Sequence, residues 1–463
     1  MNIIRHSLSA LPAAVAHSCR SAKTLRFPVS NHFVKYKHII VASILAATLL
    51  SATCAADVPG SAWEMGAPIV SYWAGPGFPN GGDLTDAAAT QMGEGGWNLV
   101  WCEEKELDVV QRHGLRGLLT SDLLNPAALD DPAKREALDA FILRVRQHPG
   151  FYAYHLSDEP GVAHFPALAR LVAYLREHDP AHLAYINLFP IYASNEQLGT
   201  KGTATDAYSE YLRQYVEDVR PSLLSYDHYH FTNAGDEAQY FLNLALARKR
   251  AMSAGIPFLN IVQASAWGLT PLASPTGPRV PNGDEVRFLV YTTLAYGAQG
   301  ISYYVYSFPG HLGNITEADG TPKPLYHVLK SLNPEFVAIA KELRPLKSLN
   351  VFHTGMQPPG AEPLPKQATF TFDPPVADMD YKPRERVQGV LLGEFGSSDK
   401  ADTGGTHVLV VNLDYKVERI VGVRGPAPLE VFDAAIGKWL PAGGSRAELR
   451  LTKGGGKLVR VRP

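Results

Sequence analysis

From residue 68 onward the chain alternates short apolar runs with amphipathic segments, and this alternation constrains its fold more than any other feature. The strand-like runs lie at 68–74, 97–102, 115–121, 151–157, 184–189, 223–229, 257–264 and 300–307. Amphipathic stretches such as 132–147, 165–177, 207–219, 236–253 and 284–298 fall between them. Strands without polar alternation belong in a parallel sheet covered on both faces, and eight such units over roughly 280 residues predict a (β/α)8 TIM barrel. An open doubly wound sheet would carry a glycine-rich first strand-to-helix turn, and no G-x-G-x-x-G follows residues 68–74. No cofactor is therefore expected. A helical stretch at 325–343 closes the barrel, after which short β-rich segments at 387–395, 407–413, 429–432 and 458–461 alternate with Gly and Pro clusters. These predict a C-terminal all-β, sandwich-like domain. The expected organisation is a leader and signal peptide at 1–56, a barrel domain at 57–348 and an accessory β-sandwich at 349–463.

Lys35, Lys37 and His38 precede an apolar run at 39–50, followed by small residues up to Ala55 and Ala56. That order predicts a secretory signal peptide at about 34–56, with translation starting at Val34 and the mature chain secreted or periplasmic. The run is too short for a comfortable membrane span, and no integral span is expected in the mature chain. Lipid anchoring through Cys54 is disfavoured by Thr53, which fits poorly before a modified cysteine. Cleavage here leaves Cys102 alone, so no internal disulfide can form, and a core of this size does not need one. Lys and Arg number 43 against 45 acids with no dense basic run, which argues against a nucleic-acid partner.

The run Phe151-Tyr152-Ala153-Tyr154-His155-Leu156-Ser157-Asp158-Glu159-Pro160 is an apolar strand that stops on two acids and a proline. In a barrel the C-terminal strand ends form the catalytic face, so Asp158 and Glu159 are candidates for acid/base work, beside their alternative as helix-start charges. The other strand ends add Trp73, Glu103, Asn187, Asp227, His228, Gln263, Trp267 and Tyr304, with His155 beneath Glu159. Aromatic faces stack on pyranose rings while carboxylates and amides hold hydroxyls, so this rim predicts a carbohydrate substrate. His228 and His230 share one face of a strand, but no third ligand accompanies them at a recognisable spacing and no metal is expected.

Ser157-Asp158-Glu159-Pro160, at the end of the fourth strand, resembles the Asn-Glu-Pro motif of clan A TIM-barrel glycoside hydrolases, with Asp in place of Asn. The resemblance implies an exported glycoside hydrolase with Glu159 as general acid/base. It also covers the layout of signal peptide, barrel and β-sandwich. The family places a nucleophilic Glu at the end of strand seven, where this chain has Gln263, which cannot form a glycosyl ester. Glu103 and Glu104 after strand two could supply the missing group but read more simply as helix-start charges, and two other routes restore it. The adjacent Asp158-Glu159 pair resembles that of substrate-assisted N-acetylhexosaminidases, in which the Asp orients an acetamido group that attacks the anomeric carbon. Alternatively, Asp227 at the end of strand six serves as nucleophile or base. A non-catalytic carbohydrate-binding protein on a degenerate barrel is the competing reading, and the absent strand-seven acid is its best argument.

Overall fold

The computed structural model describes residues 62–267, 276–397 and 405–463. The expected leader and signal peptide, with Cys54, lie outside the described residues. Asp57–Pro463 form one compact unit.

The barrel strands are β1 (Ile69–Trp73), β2 (Leu99–Cys102), β3 (Arg116–Leu119), β4 (Phe151–Asp158), β5 (Leu183–Leu188), β6 (Leu224–His228), β7 (Phe258–Gln263) and β8 (Gly300–Tyr304). They pair in parallel around an eight-stranded sheet, β1 lying beside β8 and β2 beside β3. Each falls on a run that the apolar pattern predicts. The seam between β1 and β2 is stitched through Asn98. Its N–H donates to the Val70 carbonyl at 3.0 Å, and its side-chain oxygen accepts from the Val70 N–H, also at 3.0 Å. The Trp101 indole adds a bond to the Tyr72 carbonyl at 2.7 Å. The fold is thus a TIM barrel, wrapped by helices α1 (Asp86–Glu94), α2 (Leu107–Arg112), α3 (Pro132–Val145), α4 (Phe165–His178), α5 (Ala204–Gln214), α6 (Tyr240–Ala254), α7 (Gly283–Ala295) and α8 (Pro324–Leu343).

A C-terminal β domain follows directly. Its six-stranded antiparallel sheet runs in the order β9 (Lys347–Gly355), β11 (Gly389–Gly396), β12 (His407–Asn412), β17 (Gly456–Val461), β14 (Leu429–Asp433) and β15 (Lys438–Pro441). The second sheet is three-stranded, β10 (Thr371–Phe372), β13 (Arg419–Arg424) and β16 (Arg446–Leu451). Strand alternation divides two cores. Val390, Leu392, Val408 and Val410 fill the space between the sheets, whereas Leu391, Phe395, Leu409 and Val411 join the barrel's core. Helix α7 lies at this junction and is buried on every side from Phe288 to Ala295, which explains why that stretch carries no charged residue. Gly393 permits the approach, because a Cβ there would collide with the Ala295 carbonyl. Tyr415 adds a polar tie, its hydroxyl donating to buried Asp236 at 2.9 Å.

Among the described residues no helix is long and apolar enough to cross a membrane. Cys102 is a free, buried thiol whose pKa burial raises, which makes it a packing residue and a poor nucleophile.

Candidate active site

Strand β4 delivers its carboxylates through two local irregularities. Its register against β5 shifts between His155 and Ser157, and this bulge sets Asp158 directly opposite Asn187. Glu159 then adopts φ 46°, a left-handed backbone that is uncommon for a non-glycine residue and costs of order 1–3 kcal/mol. Its N–H is held by the Asn187 carbonyl at 2.9 Å, and Pro160 ends the ladder.

Asn187 is the hub. On β5 and β6 the side chains of Tyr185, Asn187, Ser225 and Asp227 follow at two-residue spacing on the barrel's inner face. Tyr185 and Ser225 share a hydroxyl bond at 2.8 Å, and the Ser225 hydroxyl donates to Asn187 Oδ1 at 3.1 Å. That bond orients the amide, so Nδ2 faces the acids. One hydrogen goes to Asp158 Oδ1 at 3.1 Å and the other to Asp227 Oδ1 at 3.0 Å.

The acids then separate by environment. Asp158 faces a cleft and is solvent-exposed along it, yet protein walls it elsewhere; that burial raises its carboxyl to about 6 against the pull of Asn187. Glu159 is raised further, first by burial and then by the negative charges of Asp227 and Asp158. Asp227 is also raised by burial and by Asp158. Buried Asp227 Oδ2 has no hydrogen-bond partner among the described residues, and the carboxyls of Glu159 and Asp227 act on each other's ionisation. Neighbouring carboxyls escape like-charge repulsion when one keeps its proton, and the negative charges of Asp227 and Asp158 both favour the proton on Glu159.

An aromatic wall stands beside the acids. Tyr229 packs against Trp267 with ring centres 4.6 Å apart and against Tyr304 at 4.8 Å, and Trp267 meets Tyr304 at 5.0 Å. The Tyr304 hydroxyl bonds His311 Nε2 at 3.0 Å. On the β1 side, Trp73 and His155 are 5.7 Å apart, with Trp101 edge-on to Trp73 and tilted against His155. Burial lowers His155 to about 4, so its ring is neutral, and its Nε2 has no partner among the described residues.

A cavity of about 570 Å³ opens on Asp158 and Glu159. It shares Leu124 and Leu156 with a larger one of about 860 Å³, lined by His155 and Glu103. Glu103 thus lies one cavity away from the acids, exposed and paired with Lys105 at 3.3 Å, at the start of a short helical turn.

The structure brings Asp158, Glu159, Asp227, Asn187 and Tyr304 together, and places Glu103, His228 and Gln263 elsewhere. His228 follows Asp227, so strand parity turns it outward to α6, where Nδ1 meets Asn243 Oδ1 at 2.9 Å. Gln263 spends its amide on backbone: Oε1 accepts from the Phe231 N–H at 2.7 Å, and Nε2 donates to the carbonyls of Phe231 and Arg279 at 2.9 and 2.7 Å. It fastens the loop after β6. Sequence reasoning missed Tyr192 and Tyr229 as site residues. The Tyr229 N–H donates to the Tyr192 hydroxyl at 3.2 Å, and the charges of Asp227 and Glu159 raise both phenols beyond what burial does. Tyr229 was readable from strand parity, two residues beyond inward-facing Asp227. Tyr192 lies in a loop and carried no such signal.

No family model and no curated protein matches the chain. Similar solved structures include the β-galactosidase of psychrophilic Marinomonas ef1, at 12% identity and a TM-score of 0.42 over 60% of this chain and 60% of that one. A Bifidobacterium dentium β-glucuronidase aligns at 14% identity and a TM-score of 0.40, over 57% of this chain and 46% of that one. A Croceicoccus marinus glucosidase aligns at 12% identity and a TM-score of 0.41, over 86% of this chain and 96% of that one. The chain therefore spans less than two thirds of the first two proteins, and all three are named as glycosidases.

Proposed function

We propose that this chain is an exported glycoside hydrolase acting on oligo- or polysaccharides, with Glu159 as proton donor and Asp158 as the ionised carboxylate that meets the sugar. The observation that carries the reading is the cluster of three carboxyls around Asn187, which bridges Asp158 and Asp227 and holds the backbone of Glu159, and in which burial and like charge favour a proton on Glu159. Glu159 passes that proton to the glycosidic oxygen as the bond from C1 breaks, and the departing alcohol leaves neutral.

The same cluster bears on what attacks C1. A nucleophile must reach C1 of the bound sugar, whereas Asp227 is buried with Oδ1 held by Asn187. Asp227 therefore suits the role of holding Glu159 protonated better than that of nucleophile. Gln263 offers no acid and its amide is already committed. Asp158 has Oδ1 taken by Asn187 and faces the cleft, which favours substrate assistance. In that route Asp158 accepts from the N–H of an acetamido group, whose oxygen attacks C1, and water later opens the resulting ring.

The test is hydrolysis of aryl glycosides in matched acetamido and plain hexose series, with Glu159→Gln as control. Turnover confined to acetamido sugars and abolished in Glu159→Gln is expected. Turnover on plain hexosides would overturn the role given to Asp158, and saturable sugar binding without turnover of any substrate would identify a carbohydrate-binding protein.

A further inference from the structure

The pairing of Tyr304 with His311 bears on what the site recognises, and this step rests on the glycosidase reading above. His311 Nδ1 lies 3.1 Å from the Pro309 carbonyl, which can only accept, so Nδ1 carries the hydrogen of that bond. Burial lowers the pKa of His311, and a neutral ring with hydrogen on Nδ1 has a bare lone pair on Nε2. The Tyr304 hydroxyl, 3.0 Å from Nε2, must therefore be the donor of that bond. Its single hydrogen is spent away from the carboxylates, and its oxygen keeps only lone pairs for the site.

Tyr304 is half-buried beside the acids: the charges of Asp158, Asp227 and Glu159 all act on its phenol. Its ring is fixed by Tyr229 at 4.8 Å and Trp267 at 5.0 Å. A phenol so held can neither turn its hydrogen to the substrate nor swing away. Asn187 is likewise unable to donate to a sugar, both its amide hydrogens being taken by Asp158 and Asp227.

We infer that Tyr304, locked by His311, is a specificity-determining hydrogen-bond acceptor, which selects glycosides presenting a free hydroxyl donor at the ring position it faces. Sugars in which that hydroxyl is replaced by fluorine, hydrogen or an O-methyl group leave the oxygen of Tyr304 without a donor and are rejected. Fluorine keeps the size and the acceptor character of the hydroxyl while removing its hydrogen, which makes it the discriminating probe.

Two measurements on the full chain test this. The first is the ¹⁵N shifts of the His311 ring: hydrogen on Nδ1, with an Nε2 resonance that moves in Tyr304→Phe, is expected, and hydrogen on Nε2 overturns the inference. The second is kcat/KM for the best aryl glycoside and its monofluoro analogues. One ring position should lose roughly 10- to 100-fold in the wild type, as for a buried acceptor left unpaired, but only a few-fold in Tyr304→Phe. If no position shows this dependence on Tyr304, the inference falls. If the wild type cleaves no glycoside, the proposed function falls instead, and the His311 nitrogens alone judge the state of Tyr304.

Discussion

Glu159, which follows strand β4, is acted on by Asp227 of strand β6, whose negative charge raises the Glu159 carboxyl beyond what burial does. The pair gives the barrel an acid that stays protonated at neutral pH, through the interplay of burial and like charge that tunes carboxylates in many active sites.

Replacing Asp227 by Asn removes the negative charge that raises Glu159 and supplies an amide hydrogen that favours its ionised form. The alkaline limb of kcat/KM should move to lower pH, and the rate near neutrality should fall roughly 100-fold, within the range of a lost general acid. A pH–rate profile checks this, and an unmoved alkaline limb would show that Asp227 does not hold the proton.

Asn187→Ala acts in the opposite sense. The amide lowers both Asp158 and Asp227, so its loss raises them, and the acid limb that reports ionised Asp158 should shift to higher pH. Stability should also drop by about 1–3 kcal/mol, because buried Asp227 and Ser225 lose their partner. Thermal unfolding and the pH profile read the two effects separately.

Asp158 also couples the site to stability. Its carboxyl rises from 3.8 to about 6 on folding, so its favourable contribution is complete below the lower value and is lost as pH rises to the upper one. Asp158→Asn, which cannot ionise, should therefore raise Tm at about pH 7 and leave it nearly unchanged at about pH 3. A Tm gain of equal size at both would show that ionisation is not the cause. Activity should be lost in the same variant.

The junction of barrel and β domain offers a test of the packing. Gly393→Ala drives a methyl into the Ala295 carbonyl on α7, an overpacking that should cost about 1–3 kcal/mol. Tyr415→Phe removes the hydroxyl that Asp236 accepts from and should cost a similar amount, about 1.5–3 kcal/mol. Chemical denaturation measures both, and a neutral Gly393→Ala would mean that β11 can move away from α7.

Much of the architecture was legible before any coordinates, because it is written in local patterns. Eight apolar runs separated by amphipathic segments specify a parallel barrel, and carboxylates at strand ends mark which face holds the candidate site. The outward turn of His228 followed from the same alternation, because neighbours on a strand face opposite ways, but the rim reading grouped it with inward-facing Asp227. What only the tertiary structure decided are pairings between residues far apart in the chain and the hydrogen-bond debts of each polar group. The bulge that sets Asp158 against Asn187, and the left-handed turn at Glu159, depend on register between strands. No local pattern encodes that Gln263 must satisfy the backbone of Phe231, or that Asp227 must raise the carboxyl of Glu159. The physical reason is that strand formation responds to neighbours along the chain, whereas the protonation and the partners of a buried carboxylate are set by whatever the fold brings within hydrogen-bonding reach.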